Sequence, residues 1–93
     1  MSLKRGRIEI INDILDIIRS RQGKIKPTQV MYKANLSHQM LNDYLSELIG
    51  KGFIEEKKDK RGRKTYELTE KGFKFLQDYN LIKGFMVSYG LND

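Results

Sequence analysis

Apolar residues in the first part of the chain recur with the period of an α-helix. Between Arg7 and Arg21, positions 8, 11, 14, 15 and 18 share one helical face and Ile10 and Ile17 widen it, a spacing that predicts one amphipathic helix. Gly23 ends this helix, because glycine readily adopts the left-handed conformation found after helix ends. A second helix begins at Pro27, since proline is tolerated in a first turn, and it ends at Asn35, where asparagine favours a left-handed turn.

A third helix follows after this turn. Ser37 is a predicted N-cap, and the residues after it form an apolar stripe with a period of 3.6 that ends at Gly50. We expect this stripe to bury Met40, Leu41, Tyr44, Leu45 and Leu48. The lengths of the second and third helices, and the short turn between them, are typical of a helix-turn-helix.

The period changes to two after Gly52. Residues 53–58 and 64–68 have the pattern of two strands, and the loop between them contains Gly62, so this segment is predicted to form a β-hairpin with a basic tip. Upstream, Ile25 stands between two lysines and is a candidate for a very short strand. The resulting order, α-β-α-α-β-β-α, is mainly α with a β-hairpin and is the layout of a winged helix-turn-helix with a C-terminal helix.

The last helix begins after Thr69, a second N-cap candidate, and carries two apolar stripes. Phe73 and Leu76 are predicted to reach the domain core. The second stripe has heptad spacing and is predicted to face a partner; it consists of Phe75, Tyr79, Ile82, Met86 and Tyr89. We therefore expect a winged helix-turn-helix domain over residues 4–72 and a dimerisation helix over residues 73–90. Packing of the second stripe within the chain is the alternative.

The composition argues against most catalytic chemistries. The 93 residues include no Cys and one His, which excludes disulfides, thiolate metal sites and cysteine nucleophiles and leaves no basis for a histidine metal site. No apolar run is long enough for a membrane span, and no secretory signal is expected. These features predict a cytoplasmic binding domain that is not an enzyme and needs no cofactor or metal.

The net charge of +6 is concentrated in two segments. Residues 1–26 carry seven basic and three acidic side chains and residues 53–68 carry six and four, whereas residues 27–52 and 69–93 are each neutral. Clustered positive charge is the electrostatic footprint of a polyanionic partner. Two solvated surfaces are the alternative interpretation.

Three stretches of the chain match a known family: residues 7–15, residues 30–37 with the block Met-Tyr-Lys-Ala-Asn-Leu-Ser, and residues 66–72 with the block Leu-Thr-Glu-Lys-Gly. Through them the chain resembles the small archaeal winged-helix DNA-binding proteins. The resemblance implies binding of duplex DNA without catalysis, with the third helix in the major groove and the hairpin wing beside the backbone or in a minor groove. It also implies a homodimer formed through the C-terminal helix. That helix is short here, so we expect a compact dimer interface rather than a long coiled coil.

Within this framework, the polar face of the third helix supplies the candidate base-reading residues. Gln and Asn form paired hydrogen bonds with adenine, and Ser bonds several base edges; the candidates are His38, Gln39, Asn42 and Ser46. The alternative is a merely solvated face, because this helix has no Arg or Lys and its Asp43 and Glu47 repel phosphate.

Candidates for contacts with the DNA backbone lie in three places. They are the N-terminal arm (Lys4, Arg5, Arg7), the end of the second helix (Tyr32, Lys33) and the wing (Lys60, Arg61, Arg63, Lys64). Tyr32 is equally suited to the core, and the arm to a solvated terminus. The favoured function is a nucleoid-associated, dimeric DNA-binding protein, either a transcription regulator or a chromatin-type architectural protein. The alternative is a winged-helix module that binds another protein and not DNA.

Overall fold

The computed structural model describes residues 5–91. Within that range the order of elements matches the sequence prediction. The elements are α1 (Arg7–Ser20), α2 (Pro27–Ala34), α3 (His38–Gly50), β1 (Ile54–Lys58), β2 (Lys64–Leu68) and α4 (Glu70–Ser88).

Helix α1 lies at the centre of the core. Its residues Ile14, Leu15 and Ile18 are fully buried, and the helix contacts α2, β2 and α4. Each such side chain contributes about 1.5–3 kcal/mol when it is removed from water. The other elements meet α1 with a set of buried apolar side chains: Ile25, Val30, Ala34, Leu36, Leu41, Leu45, Leu48, Ile54, Tyr66 and Leu76.

The turn between α2 and α3 has the predicted chemistry. Asn35 adopts the left-handed conformation with φ 57°, and the Ser37 hydroxyl accepts a hydrogen bond from the Met40 N–H at 3.1 Å. These two residues end one helix and begin the next within three positions. As a result, α3 is held against α2 in the helix-turn-helix arrangement.

The wing is an antiparallel hairpin that carries one extra bridge. Ile54 of β1 pairs with Leu68 of β2, and Lys58 pairs with Lys64. The predicted very short strand is present as a single antiparallel bridge between Ile25 and Tyr66. Ile25 is fully buried, so the segment between α1 and α2 is fastened to the free edge of β2.

The Leu-Thr-Glu-Lys-Gly block clamps the start of α4 to the end of α3. The Thr69 hydroxyl accepts from the Gly72 N–H at 3.2 Å, as an N-cap does, and the Lys71 ammonium donates to the Lys51 carbonyl at 2.8 Å. At Gly72, α4 passes so close to the residue before β1 that an added Cβ would lie 2.3 Å from the Phe53 carbonyl oxygen. Only glycine fits at this crossing.

Two predicted core residues are exposed instead. Met40 is 42% exposed and Phe73 is 53% exposed. Met40 lies in the first turn of α3, whereas the buried residues of the same helix are Leu41, Leu45 and Leu48. Phe73 is replaced on the domain side of α4 by Phe75, whose ring meets the Phe53 ring edge-on at 5.8 Å. The prediction that Leu76 is buried is confirmed.

The second half of α4 extends beyond the domain. Every residue from Asn80 to Leu91 is exposed, and the radius of gyration is 14.0 Å, against about 12 Å for a compact chain of this length. Among residues 5–91, no helix has the length and apolar character needed to cross a membrane.

Candidate nucleic-acid interface

The outward face of α3 is polar and accessible. All four candidate base-reading residues are exposed, and helical geometry places them on adjacent positions of one side. The Gln39 amide donates to the Asp43 carboxylate at 3.1 Å, while the Asn42 amide lies 3.3 Å from His38 Nδ1. Both amides are therefore oriented by neighbours one turn away on the helix surface.

The negative charge of Glu47 is compensated within the domain. Its carboxylate pairs with the Arg7 guanidinium and, at 2.8 Å, with the Lys51 ammonium. The bond from Arg7, followed by the bond from Lys51, lowers the pKa of Glu47 to about 2. Two cations lie against Glu47, so the repulsion of phosphate expected from its charge is reduced.

Asp59 organises the loop at the wing tip. One carboxylate oxygen accepts from the backbone N–H groups of Arg61 and Arg63 at 2.8 and 2.9 Å, and the other accepts from the Arg63 Nε at 3.0 Å. The backbone bond from Arg63 is the largest cause of a lowered pKa at Asp59. Gly62, with φ 77°, supplies the left-handed residue of this turn.

The four candidate wing cations differ in their partners. Arg63 is paired with Asp59 at 3.0 Å and Lys64 lies 4.0 Å from Glu56. Lys60 and Arg61 form no ion pair with any other residue of the described range, and all four side chains are exposed. The tip therefore presents two unpaired cations on an ordered loop.

The arm candidates have a different setting. Lys4 lies outside the described residues. The Arg5 guanidinium donates to the Asp13 carboxylate at 2.6 Å and to the Ala34 carbonyl, so it ties α1 to the end of α2. Since Arg7 pairs with Glu47, both described arm residues hold helices together.

At the end of α2, Tyr32 is 77% exposed, so its alternative placement in the core is wrong. Lys33 beside it is also exposed. These two side chains lie immediately before the turn that leads into α3. Contact of either residue with phosphate stays a prediction.

The heptad stripe of α4 is divided between the domain and solvent. Phe75 and Tyr79 are half-buried and stack on each other at 5.9 Å, and burial, with the charges of Glu9 and Asp13, raises the pKa of Tyr79. The other three members, Ile82, Met86 and Tyr89, are exposed.

The structure also brings together cations that lie outside the sequence motifs. Lys24 and Lys26 line a surface groove of about 560 Å³ together with wing residues that include Lys57, Lys58 and Arg63. The excess of positive charge in residues 1–26 was the available signal in the sequence. In the described part of the chain, by contrast, no three potential ligands are grouped as a metal site requires.

The profile described as winged helix-turn-helix matches residues 4–86. MJ0287, an uncharacterized protein of Methanocaldococcus jannaschii, is 41% identical over 71 residues, which cover 76% of this chain and 66% of that protein. The crystal structure of Sso10a-2, a DNA-binding protein from Sulfolobus solfataricus, is similar with a TM-score of 0.70 and 31% identity, covering 92% of this chain and 90% of that one.

A more distant likeness concerns the fold alone. MepR, a transcription regulator of the multidrug efflux pump MepA in Staphylococcus aureus, has a TM-score of 0.77 at 18% identity and covers 86% of this chain and 60% of its own. The chain thus spans less than two thirds of the length of both MJ0287 and MepR.

Proposed function

The chain belongs to the winged helix-turn-helix family, and we propose that it binds duplex DNA as a homodimer. The observation that carries the proposal is the exposed polar face of α3 within a fold whose wing has an ordered basic tip. Its relative Sso10a-2 is a DNA-binding protein. We further propose that the protein acts at the nucleoid, either as a transcription regulator or as an architectural protein.

In the proposed complex α3 enters the major groove. Gln39 and Asn42 exchange their present bonds with Asp43 and His38 for paired bonds to adenine, the base whose edge matches a side-chain amide. His38 and Ser46 lie beside them and reach neighbouring base edges. Base readout then rests on a few neutral side chains, so sequence preference is modest.

Electrostatic attraction to the DNA backbone comes mainly from the wing. Lys60 and Arg61 carry charge that no described residue compensates, and Arg63 and Lys64 extend the same loop. Arg suits a narrow minor groove, where negative potential is concentrated. Tyr32 and Lys33 contact phosphate at the end of α2. We assign Arg5 and Arg7 to holding α1 against α2 and α3, because that is where their side chains are bound.

The dimer is proposed to form through the free part of α4. Ile82, Met86 and Tyr89 continue the stripe that Phe75 and Tyr79 begin against the domain. An exposed apolar surface of this kind marks an interaction site. A second copy of the same helix buries it with matching chemistry, as a two-fold dimer interface requires.

The test is duplex binding as a function of salt. If a bound protomer neutralises about six phosphates, the slope of log K against log salt is near −5, from about 0.9 per phosphate. Arg61→Ala with Arg63→Ala should lower affinity and flatten that slope by up to roughly 2. An unchanged slope would exclude the wing from the interface. Selection of bound fragments from random duplex DNA then separates the regulator from the architectural protein. A recovered sequence motif indicates a transcription regulator, and the absence of a motif indicates an architectural protein.

A protein-binding module is the second candidate function. It is favoured by α3 itself, which contains no Lys or Arg and exposes Met40 and Ile49. Absence of duplex binding even at low salt would favour this candidate over DNA binding.

A further inference from the structure

A basic groove lies on the wing behind its tip. Five basic side chains, two acidic ones and Thr65 line it. Lys24 and Lys26 come from the segment between α1 and α2, and the remaining cations come from the hairpin. None of the candidate DNA-contacting residues except Arg63 belongs to this groove.

The two halves of the groove are held together by the core. Ile25, between the two lysines, is fully buried and bridges Tyr66 of β2. Because its neighbours on either side leave the buried face, the Lys24 and Lys26 side chains lie toward the groove beside β2. Their position relative to the wing is therefore a fixed property of the fold.

The charge in the groove is largely uncompensated. Lys24, Lys26 and Lys58 form no ion pair with any described residue, and Lys57 has only a distant partner, Glu55, at 3.8 Å. Of the two acidic residues, Asp59 is already bound to the N–H groups of its loop. With five basic and two acidic residues, the groove has a net charge of +3.

Thr65 of β2 also lines the groove. Thr65 is only 7% exposed and is the one polar residue of the described range that is buried with the core. A threonine hydroxyl can donate a hydrogen bond and the lysines that line the same groove supply positive potential, which together suit a phosphate oxygen.

We propose that this groove binds backbone phosphates of the DNA next to those contacted by the wing tip. The inference rests on the proposed DNA-binding function and extends its interface to Lys24, Lys26, Lys57 and Lys58. Lysine supplies point charge without a fixed recognition geometry, so these contacts add affinity and not sequence preference.

The test compares two double substitutions that remove the same charge. Lys24→Gln with Lys26→Gln neutralises one wall of the groove, while Lys74→Gln with Lys83→Gln neutralises two exposed lysines of α4. Binding to a mixed-sequence duplex is measured by fluorescence anisotropy over a range of salt, with thermal unfolding of each variant as a check of folding. The groove variant should reduce the magnitude of the salt slope by up to about 1.8, at 0.9 per phosphate, and the α4 variant should leave it unchanged.

Three results would overturn the inference. An unchanged slope in the groove variant means that no phosphate is bound there. Equal changes in both variants mean that only overall charge matters. Wild-type protein that fails to bind duplex at low salt overturns both the inference and the proposed function, whereas the first two results leave the proposed function standing.

Discussion

Gly72 and Gly84 both lie on α4, but Gly72 is packed against another segment and Gly84 is in open space. An added Cβ at Gly72 would lie 2.3 Å from the Phe53 carbonyl oxygen, whereas Gly84 has nothing within 4 Å of that position. We expect Gly72→Ala to destabilise the protein by about 1–3 kcal/mol, the usual cost of forcing atoms into a packed site. Gly84→Ala should stabilise it by about 0.5–1 kcal/mol, because alanine favours the helix.

Urea unfolding of both variants measures this difference directly. The two substitutions make the same chemical change, so helix propensity alone predicts that both raise the free energy of unfolding. Stabilisation by Gly72→Ala would show that α4 does not cross the start of β1 as closely as described.

Asp59 is an acidic residue in the middle of the basic wing. On charge alone its removal should strengthen DNA binding. Its carboxylate, however, holds the backbone of Arg61 and Arg63 and the side chain of Arg63. We therefore expect Asp59→Ala to weaken duplex binding several-fold, because the tip loses its fixed shape.

Asp59→Asn is the matched control for this prediction. The amide oxygen still accepts the two backbone bonds, and the negative charge is gone, so affinity should be equal to or higher than that of the wild type. Anisotropy titrations at a single salt concentration compare the three proteins. Stronger binding by both variants would mean that Asp59 acts only through its charge.

At the scale of elements, the salt bridge from Arg7 to Glu47 joins the start of α1 to α3. Together with the bond from Lys51, it lowers the pKa of Glu47 from 4.5 to about 2. Between these two values the unfolded chain binds more protons than the folded one, so stability rises with pH there. The contribution of Glu47 is therefore complete above about pH 4.5 and is lost as the pH falls through about 2.

The substitution Glu47→Gln isolates this contribution from that of the other carboxylates. Its free energy of unfolding should lie below that of the wild type at pH 7, and the difference should shrink steadily as the pH is lowered toward 2. Chemical unfolding at a series of pH values provides the comparison. A difference that stays constant with pH would mean that the ion pair does not form in solution.

The limits of the elements were predictable because local chemistry sets them. Asn35, Ser37 and Thr69 act at helix ends through their own backbone and side chains, and each was identifiable in the sequence. Met40 and Phe73 were not predicted correctly, because a periodic stripe shows which residues share a face but not how far the neighbouring element covers it.

The site was predictable only in part, for a related reason. The wing and the face of α3 follow from the order of elements. The partners of Arg5 and Arg7 and the approach of Lys24 and Lys26 to the wing depend on contacts between distant segments. No spacing within the sequence reports such contacts. The resemblance to archaeal winged-helix proteins is confirmed by the family profile and by Sso10a-2.

At the scale of the whole molecule, α4 connects the domain to its proposed partner. The helix is anchored by Leu76 and Phe75 and then continues into solvent from Asn80 onward. At 3.6 residues per turn, five of the exposed apolar residues lie within an arc of about 140°; they are Leu81, Ile82, Phe85, Met86 and Tyr89. Val87 is also exposed and lies outside this arc. An isolated helix gains nothing from such a face in water, and in the proposed dimer the same face of a second copy covers it.

The oligomeric state tests this proposal. Light scattering of the wild type should give twice the chain mass of 10.9 kDa, because paired α4 helices cover each other's apolar faces. Ile82→Asp with Met86→Asp should give the mass of one chain and weaken duplex binding, since two linked DNA-binding domains act together. The control, Gln77→Glu with Asn80→Asp, adds the same charge on the opposite side of the helix and should stay dimeric. A wild type of 10.9 kDa at all concentrations, or equal masses for the two variants, would exclude α4 as the dimer interface.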